Sequence, residues 1–192
     1  MKKIGILLIC MFLACSCAYA QNAIVSTTKG VAQGVYENGI YSFKGIPYAK
    51  AARFMPPEPA DCWDSVRVFD SYGNICPQAP LPKENDFISM RKDPAEGEDC
   101  LNLNIWTPSI NDCKKRPVWL HGGGFQTGSS IEQLAYDGTN LSRKGDVVIV
   151  SVNHRLNILG FLDLSAYSEK YKYSGNVGTM DIVAALQWIQ RN

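Results

Sequence analysis

An apolar run followed at once by three glycines is the strongest structural signal in this sequence: Pro117-Val118-Trp119-Leu120-His121-Gly122-Gly123-Gly124-Phe125. The run before His121 lacks polar alternation, which is typical of a strand buried on both faces. Glycine has no Cβ and readily adopts positive φ angles, so consecutive glycine amides can converge on one developing negative charge. The stretch therefore predicts a buried strand that ends in an oxyanion hole suited to acyl chemistry.

Two other glycine motifs compete with this interpretation. Gly123 and Gly128 have the spacing of a phosphate-binding P-loop, but Ser129 and Ser130 follow where that loop requires Lys and then Ser or Thr. No GxGxxG opens a helix here, so the dinucleotide-binding fingerprint is absent. For the three glycines taken alone, a flexible turn remains the alternative to an oxyanion hole.

The residues after the glycines predict a parallel βαβ unit followed by a helix. The apolar run at 147–152 is a second buried strand, and 131–144 is long enough for a crossover helix that stops at Gly145. A right-handed connection is expected. At 177–192 an amphipathic helix is predicted with Asp181 in its first turn and an apolar face of Met180, Ile182, Val183, Leu186 and Ile189.

The residues before the glycines predict antiparallel strands and loops. Alternation from Ile24 to Lys44, with glycines between, indicates a β ribbon. Residues 101–106 alternate as a half-buried strand does and stop at Thr107-Pro108. Surface loops are expected in between, where proline is frequent: Pro47, Pro56, Pro57, Pro59, Pro77, Pro80, Pro82 and Pro94.

Residues 1–20 have the features of a signal peptide. Two lysines precede the apolar run 4–14, which is shorter than the roughly 20 residues needed to span a bilayer, and Ala18-Tyr19-Ala20 is a small-x-small cleavage site. An exported chain, periplasmic or secreted, is therefore expected. A lipoprotein modified at Cys15 or Cys17 is a minor alternative, because the usual preceding Leu is missing. In an exported chain the remaining cysteines favour disulfides, whose pairing the spacing leaves open: Cys62, Cys76, Cys100 and Cys113.

Composition excludes several classes of protein. The 192 residues are 46% apolar and 19% charged, with a net charge of +1, so the chain should fold. No basic surface for nucleic acid or for a membrane is expected. No CxxC or His-rich cluster suggests zinc, and no metal or organic cofactor is implied.

Several motifs together resemble the type B carboxylesterases, the α/β-hydrolases that include the cholinesterases. The resemblance covers essentially all of 21–192 and lies in 43–49, Arg53-Phe54, 76–78, 98–106, 121–125, 153–156, 160–162, 175–178, Asp181 and 185–188. It implies an incomplete α/β-hydrolase fold, in which an antiparallel ribbon precedes central parallel strands with crossover helices. It also implies hydrolysis of a small-molecule ester.

Particular residues acquire roles from this resemblance. Gly123 and Gly124 match the glycines whose amides form the family's oxyanion hole, and Gly122 supports their turn. Cys76 and Cys100 match the family's first disulfide. Cys62 and Cys113 have no match, so they pair by elimination or stay free. Two buried ion pairs are implied, Arg53 with Glu98 and Arg155 with Asp181, both with an architectural role.

The family's catalytic residues have no counterpart in this sequence. No GxSxG occurs, and the family's Ser, Glu or Asp, and His lie downstream of the last helix. His121 is expected to support the glycine turn, and His154 to pack in the core. Residues 21–192 are thus interpreted as the N-terminal part of a serine esterase, truncated before its nucleophile and inactive alone. The strands at Val118 and Val147 are expected to lack partners and to promote aggregation.

Two alternatives to a serine esterase stay open. One is a catalytically inactive esterase-like domain that serves binding or adhesion, which the intact glycine turn disfavours. The other is a non-functional truncation product.

Overall fold

The computed structural model describes residues 23–79 and 95–192. The predicted signal peptide, with Cys15 and Cys17, lies outside the described residues. So do Pro80, Pro82 and Pro94 of the proline-rich stretch. None of the helices in the described ranges is long and apolar enough to cross a membrane.

Ten strands and three α-helices are present in the described residues. The strands are β1 (Ile24–Thr27), β2 (Gly30–Gln33), β3 (Val35–Glu37), β4 (Ile40–Pro47), β5 (Ala49–Lys50), β6 (Glu58–Pro59), β7 (Arg67–Val68), β8 (Asn102–Thr107), β9 (Val118–Leu120) and β10 (Ile149–Val152). The helices are α1 (Thr139–Gly145), α2 (Asn157–Phe161) and α3 (Val177–Arg191). Short 3-10 turns occur at Leu134–Tyr136, Glu169–Tyr171 and Ser174–Asn176.

A five-stranded mixed sheet forms the centre of the fold. Its order is β3-β4-β8-β10-β9, with β10 antiparallel to β8 and parallel to β9. The β9-α1-β10 unit confirms the predicted parallel crossover. The predicted antiparallel ribbon is also confirmed, because β1 pairs with β2 and β3 pairs with β4. Together these elements make part of an α/β-hydrolase fold, as expected.

The burial of the central strands differs from the sequence prediction in two places. Residues 101–106 were expected to be half buried, but both faces of β8 are covered, because hydrogen bonds satisfy the amide side chains of Asn102 and Asn104. In β9, by contrast, Trp119 is 46% and Leu120 44% exposed. This strand is the outer one of the described sheet, so it is not buried on both faces.

The expectation that both apolar strands lack partners is wrong for the strand at 147–152, and it holds only for the outer edge of β9, which pairs with β10 on its other side. The predicted strand at 147–152 corresponds to β10, which is bonded to β8 on one side and to β9 on the other. All four of its residues are buried. Within the described residues, only β9 of this pair has an open edge.

The crossover helix is shorter than the predicted 131–144. Helix α1 begins at Thr139, whose amide donates to Asp137 Oδ1 at 3.0 Å. Before it, residues 129–132 form a buried loop, in which the Ser130 amide donates to the Asn153 side chain at 2.8 Å, and Leu134–Tyr136 form a partly exposed 3-10 turn. Gly145 is still helical, and the left-handed stop is Asp146, with φ 49°. The helical part of the crossover is therefore limited to the seven residues of α1.

The last helix is confirmed, but a different face of it is buried. The buried residues of α3 are Val177, Gly178, Asp181, Ala185, Trp188 and Ile189. Val183 and Leu186 of the predicted apolar face are exposed. Asp181 lies beyond the first turn of α3, so it does not cap the helix. Its buried bond to Arg155 and the packing of Trp188 fix which face meets the sheet.

Candidate active site

The glycine loop, which we define as residues 121–128, joins β9 to the buried loop before α1. Three consecutive residues have positive φ: Gly123 at 115°, Gly124 at 62° and Phe125 at 62°. The Gly123 carbonyl accepts the amides of Gln126 at 3.1 Å and Thr127 at 3.2 Å. A Cβ on residue 123 would lie 1.9 Å from the Thr127 carbonyl oxygen. Only glycine fits this position.

The amides of the two predicted oxyanion glycines are free to bind an anion. Neither Gly123 nor Gly124 donates a hydrogen bond to another described residue. The peptide that joins them is planar and trans, so the Gly124 N–H points opposite to the Gly123 carbonyl, which faces the inside of the turn. Gly124 also borders an open groove of about 1000 Å³. The arrangement can therefore offer at least one backbone donor to a ligand in that groove.

The groove next to Gly124 combines aromatic and polar walls. The rings of Phe125 and Phe161 lie 5.2 Å apart, with 59° between their planes. Ile158 and Leu162 extend this apolar wall, and both are exposed. The Phe125 carbonyl accepts the Asn157 amide at 2.7 Å, which ties the loop to α2. The groove can thus hold an apolar group beside the free amides.

Gln78 clamps the far end of the glycine loop. Its Oε1 accepts the Gly128 amide at 2.6 Å, and its Nε2 donates to the Gly128 carbonyl at 2.9 Å and to the Cys76 carbonyl at 3.0 Å. Sequence reasoning gave Gln78 no role. Its place in the family motif at 76–78 was the only signal for it. Fifty residues separate Gln78 from Gly128, so a local sequence pattern does not reveal their contact.

A network of buried amides and hydroxyls supports the loop from the sheet. Asn104 Nδ2 donates to the hydroxyls of Ser130 and Ser151, both at 3.1 Å, and Asn153 Oδ1 accepts the Ser130 amide. Asn153 Nδ2 donates to Asn102 Oδ1 at 3.2 Å. Sequence reasoning missed these residues as well, because a polar residue in an alternating strand reads as exposed. The network fixes where the loop leaves the sheet.

The histidines occupy the places predicted for them. His121 Nδ1 lies 2.8 Å from the Gly122 carbonyl oxygen, so this ring supports the glycine turn. His154 is buried in the core and stacks on His121. Burial lowers the pKa of both rings, that of His154 to about 4. No serine is hydrogen-bonded to either ring among the described residues, so neither has the contact expected of a catalytic base.

Arg155 and Asp181 form the predicted buried ion pair. Arg155 Nε and Nη2 donate to the two Asp181 oxygens at 2.8 and 2.6 Å, and the Arg155 amide donates to the same carboxylate at 3.1 Å. Arg155 Nη1 donates to the Met55 carbonyl at 2.7 Å. Burial raises the pKa of Asp181, although Arg155 acts in the opposite direction. The pair joins α3, the end of β10 and the loop after β5.

The second predicted pair forms, but it is not buried. Arg53 Nε donates to Glu98 at 3.0 Å and Nη2 bonds the other carboxylate oxygen, yet the side chains are 59% and 44% exposed. The pair borders the groove beside Gly124, where solvent reaches it. The hydrogen bond from Arg53 lowers the pKa of Glu98. Its expected role as a buried anchor is therefore wrong.

All four predicted disulfide cysteines are thiols in this structure. Cys76 and Cys100 are nevertheless both buried, and the influence of each thiol on the other lowers the pKa of Cys76 and raises that of Cys100. The Leu156 amide donates to Cys76 Sγ at 3.2 Å. Cys62 and Cys113 are exposed, and nothing in the described residues pairs them. No group of three or more His, Cys, Asp or Glu in the described ranges could hold a metal ion.

Known sequences resemble this chain over most of its length. The para-nitrobenzyl esterase of Bacillus subtilis (strain 168) is 42% identical over 175 residues, which cover 88% of this chain and 34% of that protein. The phenmedipham hydrolase of Pseudarthrobacter oxydans is 39% identical over 176 residues, with the same coverage. The chain thus spans about a third of the length of these relatives.

Solved structures resemble it to a similar extent. An esterase from Clostridium hathewayi, described as able to hydrolyse aliphatic aromatic polyesters, superimposes with a TM-score of 0.84 at 48% identity. A Geobacillus stearothermophilus carboxylesterase gives a TM-score of 0.76 at 44% identity. Each comparison covers 88% of this chain and 34% of the other. Residues 21–192 match the model of the carboxylesterase family, and the chain therefore belongs to that family.

Proposed function

We propose that this chain is the oxyanion-hole part of a serine carboxylic-ester hydrolase whose attacking serine lies outside residues 1–192. The observation that carries the proposal is the glycine loop, where the amides of Gly123 and Gly124 donate no hydrogen bond within the described residues and Gly124 borders a groove. An exposed turn whose inner carbonyl, that of Gly123, accepts hydrogen bonds and whose neighbouring amides have no acceptor among those residues suits a developing oxyanion. Membership of the carboxylesterase family supports the same chemistry.

The glycine loop acts in both halves of the proposed reaction, the formation of the acyl-enzyme and its hydrolysis. The serine hydroxyl loses its proton to a histidine of the longer protein, and its oxygen bonds to the ester carbonyl carbon. The carbonyl electron pair moves to oxygen, and the amides of Gly123 and Gly124 bind that negative charge. Each such donor contributes roughly 2.7–4 kcal/mol of transition-state stabilisation. Collapse expels the alcohol, which takes up the proton, and water then releases the acid from the acyl-enzyme in the same way.

The groove supports a small ester that carries an apolar or aromatic group. Phe125 and Phe161 form one wall of it, next to the free amides. An exposed aromatic side chain such as Phe125 can pack edge-to-face or offset-stacked against an aromatic ring of a substrate. The names of the relatives, which refer to para-nitrobenzyl and phenmedipham compounds, agree with this class of substrate.

The decisive experiment compares two proteins for hydrolysis of p-nitrophenyl acetate. One is the 192-residue chain, and the other is the product of the reading frame with the codons after Asn192. We expect turnover only in the longer product, with a GxSxG serine whose replacement by Ala abolishes it. Turnover by the 192-residue chain contradicts the proposal. A longer product with another residue in place of that serine, and without turnover, supports the inactive binding domain instead.

We also propose export after cleavage behind Ala20, and oxidation of Cys76 and Cys100 to a disulfide. The contact between these two buried side chains supports the pairing. Iodoacetamide applied to the unfolded, unreduced protein is expected to label Cys62 and Cys113 and to spare the other two. Mass spectrometry counts the labels and locates the mature N-terminus. Four labelled cysteines in the exported protein contradict the pairing.

A further inference from the structure

Two histidines stack on each other at the base of the glycine loop, and they are the only histidines in the sequence. The ring centroids of His121 and His154 lie 4.9 Å apart, with 27° between the ring planes. His121 directly precedes Gly122, whereas His154 is buried just after β10. The glycine loop is therefore in contact, through one ring, with a second ring to which the proposed reaction gives no task.

Hydrogen bonding fixes the protonation state that this stack can hold. The Gly122 carbonyl only accepts hydrogen bonds, so the 2.8 Å contact requires the proton of neutral His121 to be on Nδ1. His121 Nε2 is buried without a partner in the described part of the chain, and so are both ring nitrogens of His154. A proton added to either ring would be buried with no acceptor, which is costly. The stack is therefore suited to two neutral rings.

Few charged groups face the pair. The Glu132 carboxylate acts on His121 in favour of the charged form. The neighbouring strands β9 and β10 and the helix α2 carry no titratable side chain. Arg155 is next in sequence, but Asp181 pairs with it. Burial outweighs Glu132, and the pKa of each histidine is lowered.

We propose that His154 is a positioning residue for the glycine loop: it holds His121 by stacking, His121 holds the Gly122 carbonyl, and the assembly persists only while both rings are neutral. The use of the loop in ester hydrolysis rests on the proposed function, whereas this coupling does not require it. A role for His154 in core packing alone would give no pH-dependent link to the loop.

The sign of the pH dependence follows from the lowered pKa values. In the unfolded chain both histidines titrate near 6.5, whereas His154 in the folded protein titrates at about 4. The unfolded state therefore binds more protons in this window. The stabilisation is fully present above pH 6.5 and is lost as the pH falls toward 4.

Urea unfolding between pH 6.5 and 4.5 tests the coupling in the protein and in its His154→Phe variant. Each proton taken up on unfolding raises the unfolding constant about tenfold per pH unit. Carboxylates contribute equally to the pH dependence of both proteins. The unfolding constant of the parent should therefore rise more steeply than that of the variant, by up to about tenfold for each pH unit that the pH falls. His154→Tyr, which keeps a ring without this titration, supplies the same comparison if the Phe variant does not fold. Equal slopes contradict the proposal.

Glycine-selective ¹⁵N labelling then separates positioning from packing. The amide signals of Gly122, Gly123 and Gly124 should follow the histidine Cε1–H titration in the parent protein, and the His154 variants should change their midpoint. Gly39, in a distant turn, serves as the internal reference. Amide chemical shifts of Gly122, Gly123 and Gly124 that do not change as the histidines titrate would contradict the positioning role. If the coupling is intact but the product extended beyond Asn192 hydrolyses no p-nitrophenyl acetate, the proposed function alone is contradicted.

Discussion

Asp181→Ala is expected to lower the free energy of unfolding by about 3–5 kcal/mol, because it leaves the Arg155 charge buried without its counterion. Three donors of Arg155, two from the guanidinium and one from the backbone, lose their acceptors at once. The carbonyls of Ala52 and Met55 remain, but they carry no net charge. Urea titration followed by tryptophan fluorescence measures the loss.

Two comparisons make this result specific. Glu98→Ala removes the partner of the exposed Arg53, where solvent screens the charge, and it should leave the urea midpoint nearly unchanged. The double variant Arg155→Met with Asp181→Leu removes both buried charges, and it should be more stable than Asp181→Ala alone. An Asp181→Ala midpoint equal to that of Glu98→Ala would mean that the buried pair does not anchor α3.

The elements that sequence predicted well have burial patterns set by their own residues. The run at 147–152 is apolar except for Ser151, so no neighbour is needed to identify β10 as a central strand. The glycines at 122–124 likewise identify the loop by themselves, because glycine readily adopts the positive φ angles that Gly123 and Gly124 have. The ion pair of Arg155 and Asp181 came from the family resemblance, since a charged residue in sequence reads first as exposed.

The errors occurred where distant polar side chains determine local structure. Residues 131–138 have enough apolar positions for a helix, but the Ser130 amide just before them donates to the distant Asn153 side chain, and the helix begins only at Thr139. In β8, Asn104 is buried because Gly45, Ser130 and Ser151 each bond its side-chain amide. Such partners lie 23 or more residues away from the Asn they satisfy, so periodicity within one segment does not reveal them.

The face of α3 illustrates the same limit. Counting apolar residues selects Val183 and Leu186, whereas the buried face is the one that brings Asp181 to Arg155 and Trp188 to the core. A buried ion pair removed from solvent must be satisfied, and leaving two apolar side chains exposed costs less than leaving that carboxylate unpaired. The orientation of α3 is therefore determined by the buried Asp181 carboxylate, which has the largest free-energy cost if it is left unpaired.

In the longer, serine-bearing esterase that we propose, Gly123→Ala is expected to reduce kcat by about 100- to 1000-fold, which is the effect of losing an oxyanion donor. The added Cβ would lie 1.9 Å from the Thr127 carbonyl, so the turn must shift and carry both amides with it. KM should change less, because the donors act mainly on the transition state. Initial rates with p-nitrophenyl acetate, in a variant whose folding is verified by circular dichroism, measure both constants.

Two glycines of the same chain supply the controls that separate this chemistry from general strain. Gly122→Ala places a Cβ in open space at ordinary φ and keeps the carbonyl that contacts His121, so its kcat should fall far less than that of Gly123→Ala. Gly39→Ala also meets no atom within 4 Å but has φ 80°, so it carries the cost of a left-handed residue far from the groove. That cost, about 1–2 kcal/mol, should appear in stability and not in turnover. A folded Gly123→Ala enzyme with the kcat of Gly39→Ala would show that these amides do not hold the oxyanion.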